Sequence, residues 1–524
     1  MTDMQRSARQ ARVVDLLFHN ARYFAAKPAL RIDGQAISYG ELERRVHEAT
    51  QVLGAQVRSG DRVGLWLNNC HTWVVCFLAL NALGAISVPI NTRLTPAELD
   101  VILRDAQAAA LITTTHYRGR DYFDEAQTQL KTRYATTRLI YAVDDATLAS
   151  SWALARQEAA SAPPPLATPL PDDMLCIQYT SGTTATPKGV MLTNASYLRT
   201  AAYVARCQEL TPASNFISAG PFFHCSGSMH GITVCLSAGC TLNSMSVWDP
   251  LRFLDEVERH AISAAHACYL RDVISLGADR ARPKLATLRV SHALGTPTYL
   301  QQLHDELGIR GISNIYGMTE TSGQFTMWFG DDPLASRISA NGRPQAGNQL
   351  RIADPHTGAS LAPGGQGEIQ MRGPTITPGY FNRPQANLDS FTADGWLRSG
   401  DLGTLTENNE LMYLARLKEI IRVGGENLAP DEVEQALRDL TGIQMLSVVG
   451  MADARLDEVP ALVVVNAEAH DWPTILGQLR LQLAGYKMPK AVFSASELPL
   501  TATNKVQRGL LKDRLHKNLL TRVL

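Results

Sequence analysis

Apolar residues recur along the first half of the chain in two alternating rhythms. RVGLWL (Arg62–Leu67) is a short continuous apolar run, the pattern of a strand covered on both faces. HTWVVCFLALNALGA, starting at His71, has helical spacing. AISVPIN predicts the next strand, PAELDVILRDA the next helix and AALITT another strand. Parallel strands need a crossover, and a helix supplies it. The alternation therefore predicts an α/β fold built of parallel units.

The rhythm breaks at LASSWALARQEAASAPPPLATPLPDD, which is rich in Ala and Pro and shows no strand pattern. It reads as an exposed connection running into the strand LCIQY (Leu175–Tyr179), with a helix-like segment beginning near Asn194. From about Gly330 to Ala415 the texture is Gly, Pro and short alternating runs: GNQLRIAD, GEIQMRG, GWLRSGDLG and LMYLAR. These predict a small β-rich subdomain over about 330–415. Beyond Arg416 the order is strand (EIIRV), Gly-Gly turn, helix (PDEVEQALRDL) and two strands (SVVGM, ALVVVN). That is a small α+β domain. The expected division is a large N-terminal domain over 1–417 and a small C-terminal domain over 418–524.

Charge narrows the partners. The net charge is -1 with no dense Lys/Arg run, which disfavours nucleic acid and an anionic membrane as binding surfaces. The longest apolar runs are about seven residues, as in VVCFLAL, against roughly 20 for a membrane-spanning helix. No secretory-signal pattern opens the chain. Eight Cys occur with no C-x-x-C pair and no His-rich metal spacing. Buried, reduced thiols in a cytoplasmic protein are the expectation.

The chemistry is concentrated in YTSGTTATPKGVMLTN (Tyr179–Asn194). Thr180, Ser181, Gly182, Thr183 and Thr184 offer small donors and open backbone N–H groups, and Lys188 adds positive charge. Such a loop after a strand suits a polyphosphate. It is not a P-loop of the G-x-x-x-x-G-K-[ST] kind, because Lys188 is followed by Gly189 and Val190. A kinase or motor ATPase is therefore disfavoured.

Further motifs follow in order: PFFHCSG (Pro221–Gly227), ALGTP (Ala293–Pro297), YGMTE (Tyr316–Glu320), GRP (Gly342–Pro344), GWLRSGDLG (Gly395–Gly403), ARLKEIIRVGGENLAPDEVE (Ala415–Glu434) and PLTATNKVQR (Pro499–Arg508). With the hydroxyl-rich loop, and more weakly SYGEL (Ser38–Leu42), they make the chain resemble, over essentially its whole length, the adenylate-forming superfamily of acyl-CoA synthetases, adenylation domains and luciferases. Its closest likeness there is to a stand-alone acyl-CoA ligase.

The resemblance implies a two-step reaction. A carboxylate attacks the α-phosphate of ATP and pyrophosphate leaves; the acyl group then passes to a thiol and AMP leaves. Anion attacking anion demands fixed positive charge and preorganised donors. It implies that Thr180 to Thr184 and Lys188 hold the β- and γ-phosphates. Gly295, Thr296, Tyr316, Gly317 and Met318 would frame the nucleotide, with Tyr316 facing adenine. Thr319 would meet the α-phosphate, and Glu320 would ligate Mg²⁺. Asp401 and Arg416 would take the ribose. Lys505 would be the catalytic Lys of adenylation, and His224 would stand near the acyl carboxylate. The small domain would be mobile, rotating between half-reactions about a hinge at Lys418. That rotation would turn Gly424 and Gly425 toward the pantetheine of CoA.

Several positions depart from the family's pattern. Ala185, Ala415 and Asn504 stand where Gly is usual. Asn is the best non-Gly residue for a left-handed turn. Leu294 and Ile315 add bulk at expected walls of the acyl pocket, where Ser226, Ser228, His230 and Thr296 are the nearby polar groups. The expectation is a pocket for a small, medium or bent acid rather than a long straight chain. GGENLAP matches the CoA-ligase form of the small-domain turn. The alternative acceptor is the pantetheine of a separate acyl carrier protein.

Overall fold

The alternating pattern of the first half folds into two seven-stranded sheets. The structure of the protein, a computed structural model, describes residues 11–130, 137, 139–143, 153–156, 170–171, 173–180, 187–266, 269–423, 426–501 and 505–524. It divides into two compact units. The first holds 1–182, 186–349 and 371–397; the second holds 183–185, 350–370 and 398–524.

In the first unit, one sheet runs in the order Lys188–Thr193, Met174–Thr180, Ile86–Pro89, Arg62–Trp66, Ala110–Thr114, Leu139–Val143, Ala153–Arg156. Its inner strands are parallel, and the two outermost pairings are antiparallel. The edge strand Ala153–Arg156 corrects the expectation of a connection without strands. ALAR has no alternation to announce it, and its pairing with Leu139–Val143 supplies what the sequence lacks. The strand Lys188–Thr193 likewise intervenes between the hydroxyl-rich loop and the helix Asn194–Cys207.

The second sheet runs Gly311–Asn314, Val290–Ala293, Ala264–His266, Asn215–Ser218, Thr241–Ser244, Pro28–Ile32, Gln35–Ser38. Its strands are parallel except the last. The helix His71–Leu83 is buried from His71 through Asn81. Its sequence is apolar all round because it is covered all round. It stops at Gly84, whose φ of 70° is the left-handed cap that Gly adopts without strain. Seven cysteines are described; all are buried and none is in a disulfide.

A four-stranded sheet that lies mostly in the second unit runs in the order Gln349–Ala353, Gly367–Arg372, Leu397–Leu405, Leu411–Arg416, its last pair antiparallel. A further mixed sheet follows in the order Glu426–Leu428, Ile421–Val423, Asp457–Val465, Ala491–Ala495, Thr521–Arg522, with Leu446–Asp453 also paired to Asp457–Val465. The amphipathic helix Pro430–Thr441 buries Val433, Glu434 and Leu437 and ends at Gly442 in the left-handed region. Among the described residues, no helix is long and apolar enough to cross a membrane.

Candidate active site

Four neighbouring parallel strands of the second sheet end on the same edge, and their following loops carry the motifs. Asn215–Ser218 leads to Pro221–Gly227, Ala264–His266 ends in His266, Val290–Ala293 leads to Leu294–Thr296, and Gly311–Asn314 leads to Tyr316–Glu320. The carboxyl edge of a parallel sheet is where ligands bind in open α/β folds, because the loops there diverge and leave a crevice.

The loop at Pro221 is held from two sides. The Asn69 amide donates to the Gly220 carbonyl (3.0 Å) and accepts from the Phe222 N–H (2.7 Å). Gln178 donates to the Phe223 carbonyl (2.8 Å), and the Cys225 thiol donates back to Gln178 Oε1 (3.3 Å). Gly227 is required: a Cβ there would lie 2.4 Å from the Pro221 carbonyl oxygen. His224 is half-buried, and its Nδ1 accepts from the Ser226 N–H (3.1 Å) and hydroxyl (3.0 Å). The neutral ring therefore keeps its proton on Nε2. Burial pushes the Cys225 thiol up to about 12; Glu320 adds to the rise, and Thr319 is a hydrogen-bonding neighbour. The loops at 221–227 and 316–320 thus meet around Cys225.

In the second of these loops, Gly317 lets the chain double back. A Cβ there would sit 2.6 Å from the Gly323 carbonyl oxygen. Thr319–Thr321 is a single 3₁₀ turn, fixed by Thr321, whose hydroxyl accepts from the Met318 N–H (3.0 Å). Glu320 is 7% exposed, and its Oε1 accepts from the Tyr380 hydroxyl at 2.8 Å. That partner is a phenol rather than a cationic side chain. A carboxylate so placed fits a hard divalent cation. Tyr316 is 5% exposed and Ile315 3%, whereas Leu294 is 53% exposed. Asn314 donates to the Gly295 carbonyl (2.8 Å), and Thr296 caps the helix Pro297–Asp305 by accepting from the Tyr299 N–H (3.3 Å).

Thr180 and Lys188 are register partners in the antiparallel pairing of their strands. Ser181, Gly182, Thr183, Thr184 and Ala185 lie outside the described residues, as do Gly424, Gly425 and Asn504. The Lys188 ammonium stands 5.0 Å from the centroid of the Tyr380 ring. Tyr380 itself is set by a segment running beside Lys188–Thr193: Phe381 N–H donates to Gly189 (2.7 Å), and Met191 N–H donates to Gly379 (3.0 Å). Sequence reasoning missed Tyr380, 60 residues from Glu320, and also Asn69 and Gln178. The remaining signal was weak, a Gly-Tyr pair in a loop.

In the second unit, Asp401 and Arg416 face each other across an antiparallel pair, with Arg416 Nε 3.0 Å from Asp401 Oδ1. Asp401 is 2% exposed. The Asp401 N–H donates to the Ser399 hydroxyl (3.0 Å), which donates to Ile369 (2.6 Å). Ala415 is buried on the same strand. Lys418 is exposed in the 3₁₀ turn Leu417–Glu419. Lys505 is exposed, and its backbone is tied to Thr501: Thr501 N–H donates to the Lys505 carbonyl (2.8 Å), and Lys505 N–H to the Thr501 hydroxyl (3.1 Å). Arg508, three residues on, is anchored by Glu419 (2.6 Å), Glu434 (2.9 Å) and Asp431.

Comparison with known proteins shows the family. Residues 17–381 match the family of AMP-binding enzymes, and residues 432–505 match the AMP-binding enzyme C-terminal domain. The chain is 32% identical to the Rhodococcus jostii 3-[(3aS,4S,7aS)-7a-methyl-1,5-dioxo-octahydro-1H-inden-4-yl]propanoyl:CoA ligase, over 94% of this chain and 96% of that protein. It is also 32% identical to a feruloyl-CoA synthase of an Amycolatopsis species, over 94% and 97%. Among solved structures, the o-succinylbenzoate CoA synthetase of Bacillus subtilis, in complex with its acyl-adenylate intermediate, superposes with a TM-score of 0.80. That match has 26% identity and covers 95% of this chain and 98% of that one.

Proposed function

The chain belongs to the AMP-binding enzymes and is an AMP-forming acid–CoA ligase, and from that premise we propose how its residues divide the work. The observation that carries the proposal is the shared carboxyl edge of the four strands, which collects His224, Gly295–Thr296 and Tyr316–Glu320.

ATP lies with its β- and γ-phosphates at Thr180 to Thr184 and Lys188, so that pyrophosphate leaves against fixed donors and a cation. Thr319 receives the α-phosphate. Glu320 would hold Mg²⁺, which would supply charge neutralisation at the phosphates. Tyr380 orients the Glu320 carboxylate by donating to it. Gly295, Thr296 and Tyr316 to Met318 frame the adenine, while Asp401 and Arg416 take the ribose hydroxyls. Lys505 neutralises the carboxylate and α-phosphate as they approach. Residues 418–524 then turn about Lys418, and Gly424 and Gly425 admit pantetheine to the acyl adenylate.

The acid is small, medium or bent. Leu294 and Ile315 fill positions on the pocket wall, and the two ligase relatives are named for a feruloyl and an indenyl-propanoyl group, neither a straight chain. Incubation with Mg-ATP, CoA and a graded panel of acids tests both parts. Acyl-CoA, AMP and pyrophosphate in equal amounts are expected. ADP as the nucleotide product would overturn the ligase reading. Acyl adenylate retained without acyl-CoA would replace CoA with carrier-bound pantetheine. A rate optimum at long-chain acids would remove the pocket assignment alone.

A further inference from the structure

Three histidines that no motif contains converge beside the acid site. His266 is the last residue of its strand and His292 the last but one of the neighbouring strand, and they are register partners. Both stand at the carboxyl edge described above. His230 comes from Ser228–Thr233, a π-helical turn just after His224. Such turns are rare and frequent at functional sites. The His230 and His266 rings stack with centroids 4.3 Å apart and planes 3° apart, and His292 lies 4.5 Å from His266. All three are buried.

We propose that the acid carries a hydroxyl group remote from its carboxylate, and that His230 Nδ1, backed by His266 and His292, accepts its hydrogen bond. The proposal rests on the reading of residues 221–230 as part of the acid site. It follows from the polarity of the cluster. The His230 Nε2–H donates to the Gly323 carbonyl at 3.2 Å, and a carbonyl can only accept. In the neutral ring Nδ1 is then a bare acceptor. It is buried and has no hydrogen-bond partner. An orphaned buried polar atom calls for an explanation, and a ligand donor is one. Burial lowers His230 to about 4, so the ring is neutral near pH 7.

The other two rings are already committed to each other. The Gln208 amide donates to His292 Nδ1, and His292 Nε2 faces His266 Nδ1. Reversing the Gln208 amide reverses the direction of this relay and leaves His230 as it is. Burial holds His266 and His292 well below the usual imidazole range, so neither brings positive charge. A second carboxylate would therefore set an acceptor against an acceptor. A methyl ether would do the same. A hydroxyl donates. A pocket built to bond a substrate hydroxyl strongly rejects the analogue that lacks it, because the pocket's own polar atom is then left unpaired.

The experiment compares matched acids: a series hydroxylated at successive positions, with the O-methyl ether, deoxy and dicarboxylic counterparts of each. AMP release and acyl-CoA formation are read for the wild type, His230→Leu and His230→Gln. In the wild type, kcat/KM for one hydroxy acid is expected to exceed that for its ether and deoxy counterparts by about 10²-fold. In His230→Leu that ratio falls to within about threefold of unity. His230→Gln keeps an acceptor and gives an intermediate ratio, which also serves if the Leu variant does not fold. Equal kcat/KM for hydroxy and deoxy acids in the wild type, or an unchanged ratio in both variants, overturns the proposal and leaves the ligase reading standing. Loss of the preference on dialysis against EDTA also overturns it. The ligand nitrogens of the three rings lie within 4.8 Å of one another, and that result would assign recognition to a bound cation. No AMP from any acid would fell the ligase reading, and the proposal with it.

Discussion

The Tyr380 hydroxyl lies 2.8 Å from the Glu320 carboxylate, and its ring lies 5.0 Å from the Lys188 ammonium. One side chain thus meets both the Glu320 carboxylate and the Lys188 ammonium. Tyr380→Phe keeps the ring and removes the hydrogen bond. A hydrogen bond to a charged group contributes about 1.5–3 kcal/mol. The expected result is roughly a tenfold or greater fall in pyrophosphate exchange at limiting Mg²⁺, partly recovered at high Mg²⁺. A Mg²⁺ titration of both proteins checks it, and a uniform loss at every Mg²⁺ concentration would assign Tyr380 to packing alone.

Lys505→Ala separates the half-reactions. Adenylation, read as ATP–pyrophosphate exchange, is expected to fall by about 10²–10³. Acyl-CoA formation from supplied acyl adenylate should change far less. Equal losses in the two assays would place Lys505 outside adenylation.

Arg508→Met removes one of the two guanidiniums that compensate the buried Glu434 carboxylate. Glu434 is 2% exposed and also accepts from the Ser447 hydroxyl (3.0 Å) and the Val448 N–H (2.8 Å). Burial pushes its pKa up, but the Arg508 and Arg438 guanidiniums pull harder, and the net direction is down. Breaking one side of a buried pair costs about 3–5 kcal/mol. The second unit should therefore unfold at lower denaturant. Because the folded pKa of Glu434 lies below its ordinary 4.5, its stabilisation is present above that pH and is lost as pH falls through the folded value. The difference in denaturant midpoint between wild type and variant should shrink as pH falls below 4.5.

The histidine cluster predicts an acid limit to stability. His230 sits near 4 against an ordinary 6.5, with burial the main cause and the neighbouring His224 adding to the drop; His266 and His292 lie lower than the ordinary value too. Between pH 6.5 and 4 the unfolded chain binds protons that the folded chain refuses, so stability rises with pH across that window. Each neutral ring contributes up to about 1.4 kcal/mol per pH unit. Unfolding curves at pH 7, 6 and 5 should show the slope, and His230→Gln should flatten it. An unaltered slope would contradict the buried neutral ring.

Much of the fold could be read from spacing. The runs at Arg62, Ala110 and Leu175 are strands, and the segment from His71 is a helix. The Thr319–Glu320 turn and the Asp401–Arg416 pair were visible as local motifs, because each holds its groups within a few residues or on adjacent strands. The partnership of Tyr380 with Glu320 was not, since it depends on how a distant segment lies beside Lys188–Thr193. Nor was the histidine cluster. His266 and His292, 26 residues apart, meet because their parallel strands put them in register, and His230 joins them from the turn Ser228–Thr233. The strand Ala153–Arg156 escaped because its four residues do not alternate.

The burial of Cys225 has a chemical consequence. An acyl adenylate is an electrophile destined for a thiol, and an enzyme that makes one risks acylating itself. Cys225 adjoins His224, yet its thiol is pushed up to about 12 and donates to Gln178. It therefore stays protonated and unreactive, since the thiolate is the nucleophile. The other described cysteines are buried as well. The described cysteine sulfurs are thereby withheld from the reaction, and none of them competes with the incoming thiol for the activated acyl group.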